Sequence, residues 1–174
     1  MQDVLRGRLA LLPAQTNTVL LVAAVVGRQF ELETVKAVTQ LDDEEAERQL
    51  RRALELLPAT PASPERARAE LDLHLRLGAV LGRLHGPAAA GTAASFSRGL
   101  TLAGEVADDP AMLAALRGLH EAVIAQGSTA RARRLAERML AVAECLNHQP
   151  FRAASHLTVG RTLYIQGELQ QARP

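Results

Sequence analysis

Tryptophan is absent, tyrosine occurs once and phenylalanine three times, so aromatics make up 2% of a chain that is 48% apolar. Sheets draw on aromatic and β-branched residues. The apolar content here is mostly Ala, Leu and Val, which suits closely packed helices. Cysteine is almost missing as well: Cys145 alone excludes an internal disulfide and fits a reducing compartment. Lysine is reduced to Lys36, the other 19 basic residues being arginine, and the net charge of +1 gives no global field for nucleic acid or anionic lipid. The longest apolar run, residues 19–26, has 8 residues, far below the ~20 that span a bilayer. The start lacks the basic-then-apolar order and cleavage site of a signal peptide. These absences point to a soluble, cytoplasmic, all-α protein without membrane association. Its 174 residues suffice for one large domain or two small ones.

Proline and glycine punctuate the chain. Ser63-Pro64-Glu65 offers an N-cap, a proline at the first helical position and an acid in the first turn; Asp109-Pro110 repeats the device, and Pro87 and Pro150 stand at equivalent starts. Gly86, Gly127 and Gly167 each end an apolar stretch, as C-terminal glycines do, and the two intervals between them differ by a single position. A helix pair recurring at that interval is the signature of an α-solenoid. "LHEAVIAQGSTARARR" lies over "VGRTLYIQGELQQAR" with Gly127 on Gly167 and Ala132 on Ala172, and "LGAVLGRLHGPAAAG" is a weaker third copy. Between Thr129 and Asn147, the residues Ala132, Leu135, Ala136, Met139, Val142, Ala143 and Leu146 keep the rhythm of a one-sided helix.

Residues 1–57 follow another plan. Helices are expected at about 2–12, 14–26, 31–39 and 43–57, with Pro13 and Gly27 dividing the first three and Asp42 and Glu45 forming a capping box for the fourth. That layout is helix-turn-helix-like. "LLPATPASPER" is the natural joint to residues 58–174, which read as a repeat array shortened at its C-terminal end.

The stretch "LLVAAVVGRQFELETVKAVTQLDDEE" resembles the opening of the winged-helix segment that follows the nucleotide-binding domain in large bacterial signalling ATPases. These are the AAA/STAND ATPases associated with adenylate or guanylate cyclase domains, and the large ATP-binding LuxR-type regulators. "LRRALELLPATPASPERARAELDLHLRLGAVL" resembles the start of their tetratricopeptide-like (TPR-like) array. The resemblance covers nearly the whole chain, through apolar patterns without catalytic residues. Two features depart from it: residues 46–57 run straight into the repeats where a wing is expected, and the chain stops at "GELQQARP". It implies a shortened derivative or fragment of a larger regulator, and it carries over no active-site residue.

The residues themselves agree with a non-enzymatic reading. A phosphate-binding loop needs G-x-x-x-x-G-K-[ST], and Lys36 has no glycine loop beside it. Gly78, Gly82 and Gly86 read as helix packing and a cap. His74, His85, His120, His148 and His156 have no metal-ligand spacing, and Cys145 reads as a partly buried structural thiol. No catalytic residue, cofactor or metal is expected. DNA reading needs basic residues on the groove-entering helix, yet residues 1–57 carry 7 basic and 9 acidic groups. Arg131, Arg133, Arg134 and Arg138 form the one basic cluster; a solvated helix face is the plain reading, and an acidic partner or phosphate the other.

The sequence therefore predicts a helix-turn-helix-like bundle followed by a short TPR-like array, acting in protein–protein interaction within or beside a signal-transduction ATPase. Its partners would be a peptide or protein in the repeat groove, or a second copy at the C-terminal end, where Phe151, Leu157, Val159, Leu163, Tyr164 and Ile165 lack a full covering helix. A DNA-binding regulator, and a gene fragment without independent function, are the alternatives.

Overall fold

In the computed structural model of the chain, residues 42–168 and 170 are described. The helices expected at about 2–12, 14–26 and 31–39, and with them most of the helix-turn-helix-like bundle, lie outside the described residues. The chain divides into two units, Met1–Ala46 and Glu47–Pro174. Among the described residues there are six α-helices and no strand: α1 Asp43–Leu56, α2 Pro64–His85, α3 Ala90–Glu105, α4 Asp109–Ala125, α5 Thr129–Cys145 and α6 Gln149–Ile165, with a 3-10 turn at Leu57–Ala59. The all-α reading holds for this part of the chain.

The starts of these helices follow local chemistry. Asp42 Oδ1 accepts the Glu45 N–H at 2.7 Å, and Ser63 Oγ accepts the Arg66 N–H at 3.2 Å with Pro64 in the first helical turn. Two expected starts are corrected. The cap of α4 is Asp108, whose Oδ1 accepts the Ala111 N–H at 2.9 Å; Asp109 is already helical. Pro87 stands in the turn ahead of α3, which begins only at Ala90 and has no side-chain cap.

The helix ends obey a stricter rule. Gly86, at φ +85°, directly follows α2; behind the last four helices positive φ falls at Ala107, Gly127, Asn147 and Gly167. The step from one to the next is constant, and each is the second residue beyond its helix. Behind α4, the Gly127 N–H donates to Ile124 O at 2.9 Å and the Ser128 N–H to Val123 O at 3.0 Å. That is the Schellman arrangement. Asp108 and Glu168 close α3 and α6 the same way, donating to Ala103 O and Leu163 O. Asp108 thus serves twice, ending α3 with its N–H and starting α4 with its carboxylate. The result is one helix length and one short link, repeated through α4, α5 and α6.

Each helix from α2 onward packs chiefly on the next in sequence, and α2 also touches α4. Ala132, Ala136, Met139 and Ala143 of α5 are buried as the periodicity requires, with Leu135, Val142 and Leu146 half-buried around them. Leu113, Leu116, Met139 and Ala143 form one core cluster; Leu119, Val123 and Ala132 form another. The tightest approach centres on Phe96 of α3. A Cβ added at Gly78 of α2 would lie 3.0 Å from three ring carbons, and one added at Gly118 of α4 would be closer still. The half-buried ring lies between the two glycines.

Gly104 and Gly118 should therefore respond in opposite ways to alanine. Alanine normally favours a helix over glycine by about 1 kcal/mol, and Gly104, which has nothing within 4 Å of an added Cβ, should show that gain. Gly118→Ala should instead lose a net ~1–2 kcal/mol, because overpacking a rigid ring costs about 1–3 kcal/mol. Equal denaturant midpoints for the two variants would contradict the Phe96 wedge. Separately, Ala107 holds φ +52°, where a side chain costs roughly 1 kcal/mol. Ala107→Gly should raise the melting temperature and Gly127→Ala should lower it.

Candidate partner-docking surfaces

Helices α4 and α6 flank an open groove of about 140 Å³ with Met139 of α5 among its lining residues. Pro110, Leu113, Ala114 and Arg117 line one side; Phe151, Ala154 and Ser155 line the other. Its surface is apolar apart from the Arg117 guanidinium and the Ser155 hydroxyl, which donates to Met139 O at 3.4 Å. Phe151 sits against the core cluster of Leu113 and Met139, its ring tilted against that of His148, the N-cap residue of α6, with centroids 4.5 Å apart. One turn beyond Ala154, Leu157 is 75% exposed, and Tyr164 and Ile165 are exposed on the same helix. Of the six apolar residues expected to lack cover on α6, Leu163 is buried, Phe151 and Val159 are half-buried, and these three remain open.

Contacts between residues far apart in sequence hold this part together. Glu121 and Arg161 form an ion pair, Gln126 Nε2 donates to Ala88 O at 3.1 Å, and His85 Nε2 lies 3.2 Å from Glu47 Oε2. The deepest is His120, fully buried, with Nε2 2.8 Å from Thr162 Oγ1. The Thr162 hydroxyl donates its own hydrogen to Thr158 O at 2.7 Å, so Nε2 must carry the proton and donate. Nδ1 is then unprotonated, buried and without a hydrogen bond, with the Glu121 carboxylate 4.0 Å away. No metal-ligand spacing marks His120 in the sequence, and its tie to a threonine two helices on leaves no local signal either.

The predicted arginine cluster divides. Arg133, half-buried, reaches Glu137 Oε1 at 2.9 Å and both carboxylate oxygens of Glu168 at 2.9 and 3.1 Å. The Glu137 hydrogen bond, with Glu168 beside it, holds the guanidinium above its ordinary range. Arg131, Arg134 and Arg138 are exposed, and among the described residues no hydrogen bond or ion pair engages them. Cys145 is exposed, not partly buried as expected, because it falls on the solvent side of the last turn of α5. Among the described residues no group of three or more His, Cys, Asp and Glu side chains is placed to hold a metal ion, and no helix is long and apolar enough to cross a membrane.

Set against protein-family models, curated proteins and solved structures, the chain matches none.

Burial pushes the His120 pKa below its ordinary 6.5, with Glu121 opposing and Arg161 assisting. Burial lowers His74 likewise. The unfolded chain therefore binds the proton first. This contribution to stability is intact above about pH 6.5 and declines as pH falls from there, by at most about 1.4 kcal/mol per pH unit per histidine. His120→Gln, which keeps a donor for Thr162, should flatten the fall between about pH 6.5 and 5, leaving the share of His74. Unchanged pH dependence of unfolding in that variant would contradict the buried neutral imidazole.

Proposed function

We propose that this chain is a non-catalytic protein–protein interaction module, its helices forming a short TPR-like array of the kind found in bacterial signalling ATPases and their regulators. The observation that carries the reading is the apolar groove between α4 and α6. Pockets that seat peptide anchors are concave and largely apolar, with a few polar groups at the edge. Here Leu113, Met139, Phe151 and the two alanines offer the apolar wall, and Arg117 and Ser155 the polar points. The arrangement suits an apolar side chain of a partner segment with a carboxylate or carbonyl near it. The constant step between helix ends supports an array reading, since repeats stacked at constant pitch present the same groove geometry at regular intervals.

Selection of displayed random peptides against the full chain tests this. Enriched peptides should share an apolar anchor, and Ala154→Arg, which fills the groove, should weaken them at least about tenfold, or roughly 1.4 kcal/mol. Selected peptides that bind Ala154→Arg as well as the parent would overturn the groove as the docking site.

A further inference from the structure

On α5, residues 131, 134 and 138 fall within about 60° of arc at ~100° per residue. Arg131, Arg134 and Arg138 thus form one line along the exposed side of the helix, continued by exposed Ala141 and Cys145. Several arginines elsewhere take carboxylates along the same helix, Glu47 to Arg51, Asp72 to Arg76 and Glu137 to Arg133, whereas Arg68 and Arg117 form no such ion pair among the described residues. The line on α5 receives none. Glu137, the acid nearest to it in sequence, is taken by Arg133, which also holds Glu168. Arg134 and Arg138 are like charges at i and i+4, an arrangement that weakens a helix where the Glu–Arg pairs would strengthen it. Three guanidinium groups therefore stand unneutralised on one face of a chain whose net charge is only +1.

We infer that this face of α5 is a second docking surface, binding an acidic segment of a protein partner through Arg131, Arg134 and Arg138. The inference deepens the interaction-module reading and rests on it. The three arginines span about 10 Å along the axis at ~1.5 Å per residue. Carboxylates at i, i+3 or i+4, and i+7 of a partner helix repeat the same intervals, and each can take a guanidinium fork. Nucleic acid is disfavoured by reach: three charges neutralise about three phosphates, whereas strong non-specific binders engage roughly 6–10. A lipid surface is disfavoured because the line holds no large apolar side chain to insert.

Cys145 is the single cysteine of the chain and lies two turns beyond Arg138 on this face, so a fluorophore on it reports occupancy in the full-length protein. The probe is an Ala–Glu peptide of about 20 residues, long enough for measurable helix, with Glu at i, i+4 and i+7, titrated at about 50 mM salt. Saturable binding is expected, weakened at least about tenfold in R131Q/R134Q/R138Q and unchanged within about twofold in R51Q/R52Q. The triple variant removes like-charge repulsion, so its melting temperature should hold or rise, which separates lost binding from lost folding. Equal binding by the triple variant, no binding by the parent, or tighter binding of a thymidine oligonucleotide of similar length than of the peptide would each overturn the inference. Ala154→Arg should leave peptide binding within about twofold; the groove reading and this one can then fail separately.

Discussion

The positive-φ residue that closes each of the last four described helices, at a constant step along the chain, is the constraint on which the rest depends. Helices α4, α5 and α6 have 17 residues each. Such a helix is about 25 Å long at ~1.5 Å per residue, and the short link after it spans at most ~10 Å. The following helix starts beside the end of the one just finished and packs on it. Ala107, Gly127, Asn147 and Gly167 therefore fix more than local turns: they fix which helices are neighbours. Constant pitch then sets the packing. Phe96 of α3 meets both Gly78 on the preceding helix and Gly118 on the following one, two steps of the frame apart. Side chains from α4 reach α6 at nearly the same separation, through Glu121 to Arg161 and His120 to Thr162.

Much of this is legible in the sequence, and the illegible parts have physical reasons. Gly127 and Gly167 announce themselves because glycine enters the left-handed region without a Cβ penalty. Ala107 and Asn147 occupy the same place in the frame unseen, since nothing in an alanine's identity marks a residue held at φ +52° by the hydrogen bonds around it. The visible interval is therefore two helices, and the true pitch of one helix is hidden between the glycines. Asp109 passes for a cap because two adjacent aspartates are interchangeable on paper; only the Asp108 carboxylate faces the Ala111 N–H. The buried stripe of α5 is readable from helical periodicity alone. The fate of its arginines is not, because Glu168, which shares Arg133 with Glu137, comes from beyond the next helix. The groove is invisible for the same reason: its two walls belong to helices that are separated in sequence by the whole of α5.

The distribution of polar and apolar groups gives the two candidate surfaces different physics. Within the described residues most charges are used between helices or along them, and the buried imidazole of His120 is satisfied on its donor side by Thr162. What is left over is of two kinds. The groove and the open residues of α6 offer apolar area, whose burial is strengthened by salts that are excluded from protein surfaces. The arginine line of α5 offers exposed charge, whose attraction is screened over roughly 10 Å at 0.1 M salt. A partner held by the first would stay bound as ionic strength rises, and one held by the second would leave. A partner engaging both would be recruited quickly by charge and retained by apolar burial, since exposed charge acts mainly on the rate of encounter and packed contacts on the rate of release. The groove lies chiefly between α4 and α6, with Met139 of α5 at its floor, and the arginine line occupies the opposite, exposed side of α5, so a substitution on one surface need not disturb the other.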